Sequence, residues 1–257
     1  MEAGICNLSI IPVRSEPSDK TEMVTQILFG EHFEIIEKQK NWIRICNAFD
    51  GYEGWMDVKQ STPLSLEDYH TLNKKNYFVT RDIVQVAVFN EVMPLPVLIG
   101  SSLPFYSDKK FRIAENNYTF DGDVKTFDLP DKKLIIENSY HFFNAPYQWG
   151  GKSPFGIDCS GFTQMVYKLS GMKIKRDANQ QAEQGQTINM LEEAEPGDLA
   201  FFDNEEGKII HVGILIKKDK IIHASGHLKV NDIDHHGIFN KELNKYTHSL
   251  RIIKRLF

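Results

Sequence analysis

Residues 147–162 read Tyr-Gln-Trp-Gly-Gly-Lys-Ser-Pro-Phe-Gly-Ile-Asp-Cys-Ser-Gly-Phe, a glycine-rich aromatic loop that ends where a helical pattern begins. After Cys159 the apolar residues Phe162, Val166 and Leu169 recur at helical spacing, and Gly171 follows as a stop signal. Cys159 is therefore expected at or next to a helix N-terminus. Unpaired N–H groups and the positive end of the helix dipole favour a thiolate there. Alone, such a cysteine is more often a small buried hydrophobe. It becomes a candidate nucleophile only when a base is found for it.

The 257 residues give room for one large domain or two to three small ones. With 41% hydrophobic and 25% charged residues the chain reads as globular rather than disordered. A net charge of −5, from 30 basic and 35 acidic residues, shows no basic stripe and argues against a nucleic-acid binder. Cys6, Cys46 and Cys159 are widely spaced and odd in number, which fits a reducing compartment and no disulfide framework. Residues 1–7 lack the basic and apolar regions of a signal peptide, and no run approaches the ~18 apolar residues of a membrane span. The expectation is a cytoplasmic monomer that needs no cofactor or metal.

Residues 1–60 alternate short strand-like runs with turns: Ile10–Arg14, Met23–Leu28, 32–37, 42–46 and 52–56. Strands at this spacing predict a small β-barrel. The succession of 28–31 (Leu-Phe-Gly-Glu), the Trp42 strand and the closing 52–55 (Tyr-Glu-Gly-Trp) resembles a bacterial SH3-like domain. Thr62 is expected to cap a short helical turn with Pro63 at its first position. Residues 61–127 are again strand-like after this connector and read as a second, divergent SH3-like barrel. Residues 128–257 open with a helix near 134–140, continue with the Cys159 helix and a short helix after Arg176, and end in strands at 199–202, 209–216, 220–224 and 250–256. Helices first and antiparallel strands after make an α+β unit.

His211 and His223 lie on neighbouring strands of that unit. One histidine on an apolar strand is usually a satisfied core residue; two on adjacent strands invite a pairing. Side chains alternate faces, so His211 shares a face with Gly213 and Leu215. A hairpin loop of two or four residues sets His223 opposite Ile214, on the other face. An odd loop or a bulge sets it opposite Gly213, and the two histidines become diagonal neighbours on one face.

The element 158–162 (Asp-Cys-Ser-Gly-Phe), the segment Arg176 to Gln181, 196–199 (Pro-Gly-Asp-Leu), 211–214 (His-Val-Gly-Ile) and His223-Ala224 resemble, in order and spacing, the NlpC family of papain-like cell-wall cysteine peptidases. With an SH3-like domain ahead, the chain is similar to the dipeptidyl-peptidase VI type, the γ-D-glutamyl-L-diamino acid endopeptidases. The resemblance implies a papain-like α+β catalytic domain preceded by two all-β barrels, with Cys159 as nucleophile, His211 as base and His223 orienting it. It implies hydrolysis of peptidoglycan stem peptides that begin with a free L-Ala, after γ-D-Glu and before Lys or diaminopimelate. It also implies a substrate-binding set of Asp158, Ser160, Trp149, Tyr147, Tyr52 and Glu16. Asp158 is equally read as a helix cap, Glu16 as a solvated loop charge and Tyr52 as a barrel-edge aromatic. Three other readings compete: a zinc site built from Cys159, His211 and His223, with His227, His235 and His236 as loop residues; a muropeptide-binding module; and an amidase or acyltransferase using the same thioester.

Overall fold

The period-two pattern of the first sixty residues is realised as strands with one face buried. In β5 (Trp42–Asn47) Ile43 and Ile45 are buried while Trp42 and Arg44 stay half-exposed. The computed structural model describes residues 1–257 and separates into two units, Met1–Leu129 and Pro130–Phe257. In the first, β1 (Glu2–Ile5), β2 (Ile10–Arg14), β3 (Met23–Leu28), β4 (His32–Gln39), β5, β6 (Glu53–Asp57) and β7 (Thr62–Leu64) form an antiparallel sheet ordered β3-β2-β6-β5-β4-β1-β7. Six strands make a small barrel. Its core holds Cys6, Ile11, Val13, Ile27, Phe33, Ile43, Ile45 and Met56.

Thr62 does not cap a helix. Thr62–Leu64 is the edge strand β7, where Pro63 faces Gly4 and its missing N–H costs no ladder bond on the outer side. The helix α1 (Leu66–Lys74) starts three residues later than that cap would place it, with the Ser65 side chain accepting from the Asp68 N–H at 3.1 Å. Beyond it, β8 (Val79–Thr80) pairs with β13 (Val124–Lys125). Between them β9 (Val84–Phe89), β10 (Met93–Leu98), β11 (Lys110–Ile113) and β12 (Asn116–Phe120) form a sheet ordered β10-β9-β12-β11. One apolar cluster joins Ala3, Ile5, Phe29 and Leu64 to Ala87, Val97, Phe111, Ile113 and Phe120. Residues 1–60 and 61–127 thus share a core within one unit.

In the second unit α2 (Leu134–Tyr140) comes first, and the two-residue strands β14 (Lys152–Ser153) and β15 (Gly156–Ile157) fold the glycine-rich loop into a hairpin. Helix α3 (Cys159–Lys168) follows, buried along its whole length, and then α4 (Ala178–Gln181). The sheet comprises β16 (Gln186–Ile188), β17 (Leu199–Asp203), β18 (Ile209–Lys217), β19 (Lys220–Ser225), β20 (His227–Asp234), β21 (Gly237–Asn240) and β22 (Lys245–Arg255), ordered β16-β22-β17-β18-β19-β20-β21. Its core includes Ala200, Phe202, Leu215, Ile221 and Ile253. The turn at 195–198 is fixed by Asp198, which accepts from the Glu195 N–H and from Arg255. The Tyr167 hydroxyl donates to the Gly197 carbonyl at 2.7 Å and ties α3 to this turn. No helix is long and apolar enough to cross a membrane.

Candidate active site

Cys159 is the first residue of α3, and Asp158 is its N-cap, accepting from the Gly161 N–H at 2.6 Å. The loop comes down onto the helix start with no room for side chains between them. A Cβ on Gly161 would lie 2.3 Å from the Gly151 carbonyl oxygen, a backbone atom that cannot step aside. The chain can bring α3 this close to the loop only with glycine at 161.

Asp158 does more than cap. Its Oδ1 accepts from Gly161 and from Arg176 Nη1 at 3.0 Å; its Oδ2 accepts from the Gly150 N–H at 2.8 Å and from Arg176 Nη2 at 2.7 Å. Arg176 is 1% exposed and also donates to Ser160 Oγ at 2.9 Å. A planar guanidinium bridging both carboxylate oxygens is the geometry that lets a charge pair exist in the interior. Asp158 therefore already has a full complement of donors and a paired charge.

The two histidines meet. β18 and β19 pair Ile214 with Ile222 and Leu215 with Ile221, then shift register so that Lys217 faces Lys220. The loop has the even length that would separate the imidazoles, and a bulge at Ile216 supplies the extra residue that restores the shared face. Continued upward, this register puts His223 across from Gly213. There a Cβ would stand 2.9 Å from the His223 Cβ and 2.7 Å from Ile221 Cδ1. His211 Nε2 lies 2.8 Å from His223 Nδ1, and His223 Nε2 lies 3.0 Å from Asn231 Oδ1. The His248 ring stacks on His211 with centroids 4.3 Å apart. Cys159 Sγ accepts backbone hydrogen bonds from Ser160 and from Val212, the neighbour of His211, which joins the helix start to the histidine strand.

All three groups are buried, and burial favours their neutral forms. Desolvation, helped by the charge of Asp158, pushes the Cys159 thiol up to about 12 against the opposing pull of the Val212 hydrogen bond and Arg176. Burial, with the neighbouring His223 and His248, holds His211 well below the usual imidazole range. Burial takes His223 down to about 4, although Asn231 acts in the opposite direction. Burial thus weights the thiol and both imidazoles toward their neutral forms. A charge separation that is costly for either group alone is open to a thiol and imidazole that exchange one proton.

Tyr147 is held by its N–H to the Gly226 carbonyl, and its phenol is pushed up by burial and by the charges of Cys159 and Asp158. Trp149, in the same loop, is 60% exposed. Glu16, exposed, and Tyr52, half-buried, belong to the N-terminal unit. His227 opens strand β20 rather than lying in a loop, because the Ser225–His227 pairing carries the ladder to its first residue. His235 and His236 occupy the turn before β21. No three His, Cys, Asp or Glu side chains converge as metal ligands; His211 and His223 are turned toward each other. Sequence reasoning passed over Asn231, His248 and the burial of Arg176. Asn231 lies among half-buried residues of β20 with no clear alternation. His248 is in phase with Leu250 and Ile252 on β22 and could have been found from that pattern. The burial of Arg176 is a long-range pairing with no local signal.

Comparison with known proteins bears on the same elements. Residues 144–248 match the NlpC/P60 family, and residues 13–60 match the bacterial dipeptidyl-peptidase Sh3 domain. A γ-D-glutamyl-L-lysine dipeptidyl-peptidase of Bacillus cereus is 28% identical over 230 residues, covering 80% of this chain and 68% of the relative. Dipeptidyl-peptidase 6 of Lysinibacillus sphaericus is 26% identical, covering 89% and 91%. A solved NlpC/P60 family protein from Bacillus cereus shares the fold over 99% of both chains, with a TM-score of 0.83 at 20% identity. The class is that of the cysteine peptidases. More narrowly, the chain joins an NlpC/P60 domain to a bacterial dipeptidyl-peptidase SH3 domain.

Proposed function

We propose that the chain hydrolyses the bond between γ-D-Glu and an L-diamino acid, lysine or diaminopimelate, in peptidoglycan-derived peptides with a free N-terminal L-Ala. The observation that carries this is the contact of the Cys159 thiol with the backbone next to His211, together with the pairing of His211 with His223. The names of the relatives support the substrate class. His211 takes the thiol proton as Sγ attacks the γ-carbonyl carbon, and His223 keeps the His211 ring in position. The oxyanion is met by the Cys159 N–H, at a helix position with no intrahelical partner. The C–N bond breaks as His211 returns the proton to the leaving amine. Water then hydrolyses the thioester.

The layout is papain-like in this reading, with the nucleophile on a helix and the base on a sheet, and we take 61–127 as a second, divergent SH3-like unit. Because Arg176 already neutralises Asp158, we assign Asp158 to the frame of the loop, with Ser160. The substrate's ammonium is then left to the aromatic faces of Tyr147 and Trp149, which attract cations.

The test is product analysis on L-Ala-γ-D-Glu-L-Lys and its diaminopimelate analogue. The expected products are L-Ala-γ-D-Glu and the free diamino acid, with none from Cys159→Ala, which keeps its fold. Full hydrolysis by that variant would refute the mechanism. Binding without cleavage by the wild type would indicate a recognition module, and transfer to an added amine an acyltransferase. N-acetylation of the alanine should abolish turnover if the ammonium is read.

A further inference from the structure

Asn231 is half-buried on β20, diagonal to His223 on the same sheet face, since His223 pairs with Lys229 and Ile221 with Asn231. Its Oδ1 lies 3.0 Å from His223 Nε2. We infer that Asn231 is a positioning residue whose side-chain carbonyl sets the tautomer of both imidazoles and so leaves His211 Nδ1 bare for the thiol. This rests on the cysteine-peptidase reading only for its catalytic consequence.

An amide oxygen can only accept, so His223 Nε2 must carry the proton. A neutral His223 then has a bare Nδ1, which can only accept. The atom 2.8 Å from it, His211 Nε2, must therefore be protonated. A neutral His211 with Nε2–H has a bare Nδ1, the form a general base needs. Each step removes one choice, and the chain of choices begins at a group that cannot titrate. When His211 takes the thiol proton its Nε2–H bond to His223 is unchanged, so the transfer needs no rearrangement of the relay. Reversing the Asn231 amide would turn a donor toward His223 Nε2. It would force the opposite tautomer through both rings and point an N–H from His211 at the thiol.

The test uses the full chain labelled with 15N at histidine. Imidazole nitrogen shifts distinguish N–H from bare nitrogen, and the expected wild-type spectrum has Nε2–H and bare Nδ1 on both His211 and His223. Asn231→Asp retains an acceptor and should keep both tautomers and most of kcat. Its acid limb should move to higher pH, because a carboxylate stabilises the His223 imidazolium against the repulsion of Lys229, His227 and His248, which also act on that ring. Asn231→Leu should mix the tautomers and lower kcat about 10- to 100-fold with KM little changed, the scale for groups that orient a first ligand. A wild-type spectrum with Nδ1–H on His223 overturns the inference, as do unchanged tautomers in Asn231→Leu. If that variant does not fold, the wild-type spectrum decides alone. The stated tautomers in a chain that cleaves nothing would leave the inference standing and remove the peptidase reading instead.

Discussion

Gly213→Ala places one methyl group between the strands that carry the two histidines. Its Cβ would sit 2.7 Å from Ile221 Cδ1 and 2.9 Å from the His223 Cβ. Carbon atoms pack at about 3.5–4.0 Å, so the gap must open by roughly 0.6–1.1 Å at His223. Ile221 can turn its terminal methyl away, but the His223 Cβ is fixed to the backbone and moves only with β19. Overpacking of this kind costs about 1–3 kcal/mol. The 2.8 Å contact between the imidazoles would lengthen as the strands separate. A base displaced on the order of 1 Å loses roughly 10²-fold in rate. Urea unfolding and steady-state hydrolysis of the L-Ala-γ-D-Glu-L-Lys tripeptide measure the two effects. Wild-type turnover together with an unchanged urea midpoint in G213A would refute the argument that the pairing depends on the missing side chain.

Removing one partner of the Arg176–Asp158 pair leaves a buried charge uncompensated, so Arg176→Met should lower stability by about 3–5 kcal/mol; the two side chains are 1% and 8% exposed. Asp158→Asn in the same background should recover part of that loss in urea titrations, and strictly additive losses would show that the two charges do not depend on each other. His223 has a folded-state value of about 4 against an ordinary 6.5. The unfolded chain therefore binds the extra proton first as pH falls. The stability due to neutral burial is complete above about pH 6.5 and is lost toward pH 4, by roughly 3 kcal/mol. The stability difference between wild type and His223→Gln should shrink over that window, and a pH-independent difference would contradict it.

The nucleophile's setting was legible because Phe162, Val166 and Leu169 recur at helical spacing, although α3 is buried on every side rather than along that stripe alone. The strands of 1–60 were legible for the same reason, with Ile43 and Ile45 alternating against Trp42 and Arg44. What hydrophobic pattern does not carry is the third dimension of polar contacts. Arg176 reads as an ordinary surface cation until Asp158 is placed beside it, and Asn231 as an ordinary strand polar residue until His223 is. Phe29 lies in a segment that reads as a turn, yet its ring packs edge-on against Phe111 and Tyr118 at 5.7 and 5.8 Å, so the core of one predicted barrel runs into the next. Pro63 suggested a helix start because proline suits that position, but proline also suits an edge strand, and pairing with β1 decided between them.

The bulge at Ile216 makes the number of residues between the histidines matter more than their identities. Eleven positions separate His211 from His223 (223 − 211 − 1), and each single insertion or deletion in the hairpin rotates one imidazole to the opposite side of the sheet. The apolar residues would swap sides with it, yet β18 and β19 are buried from His211 to Ala224 except around the loop, so neither face rejects them strongly. Length changes here can therefore leave a well-folded protein whose base has been carried out of reach. Among chains of this architecture, the odd or even length of this one hairpin should separate those able to cut from those that keep only the fold.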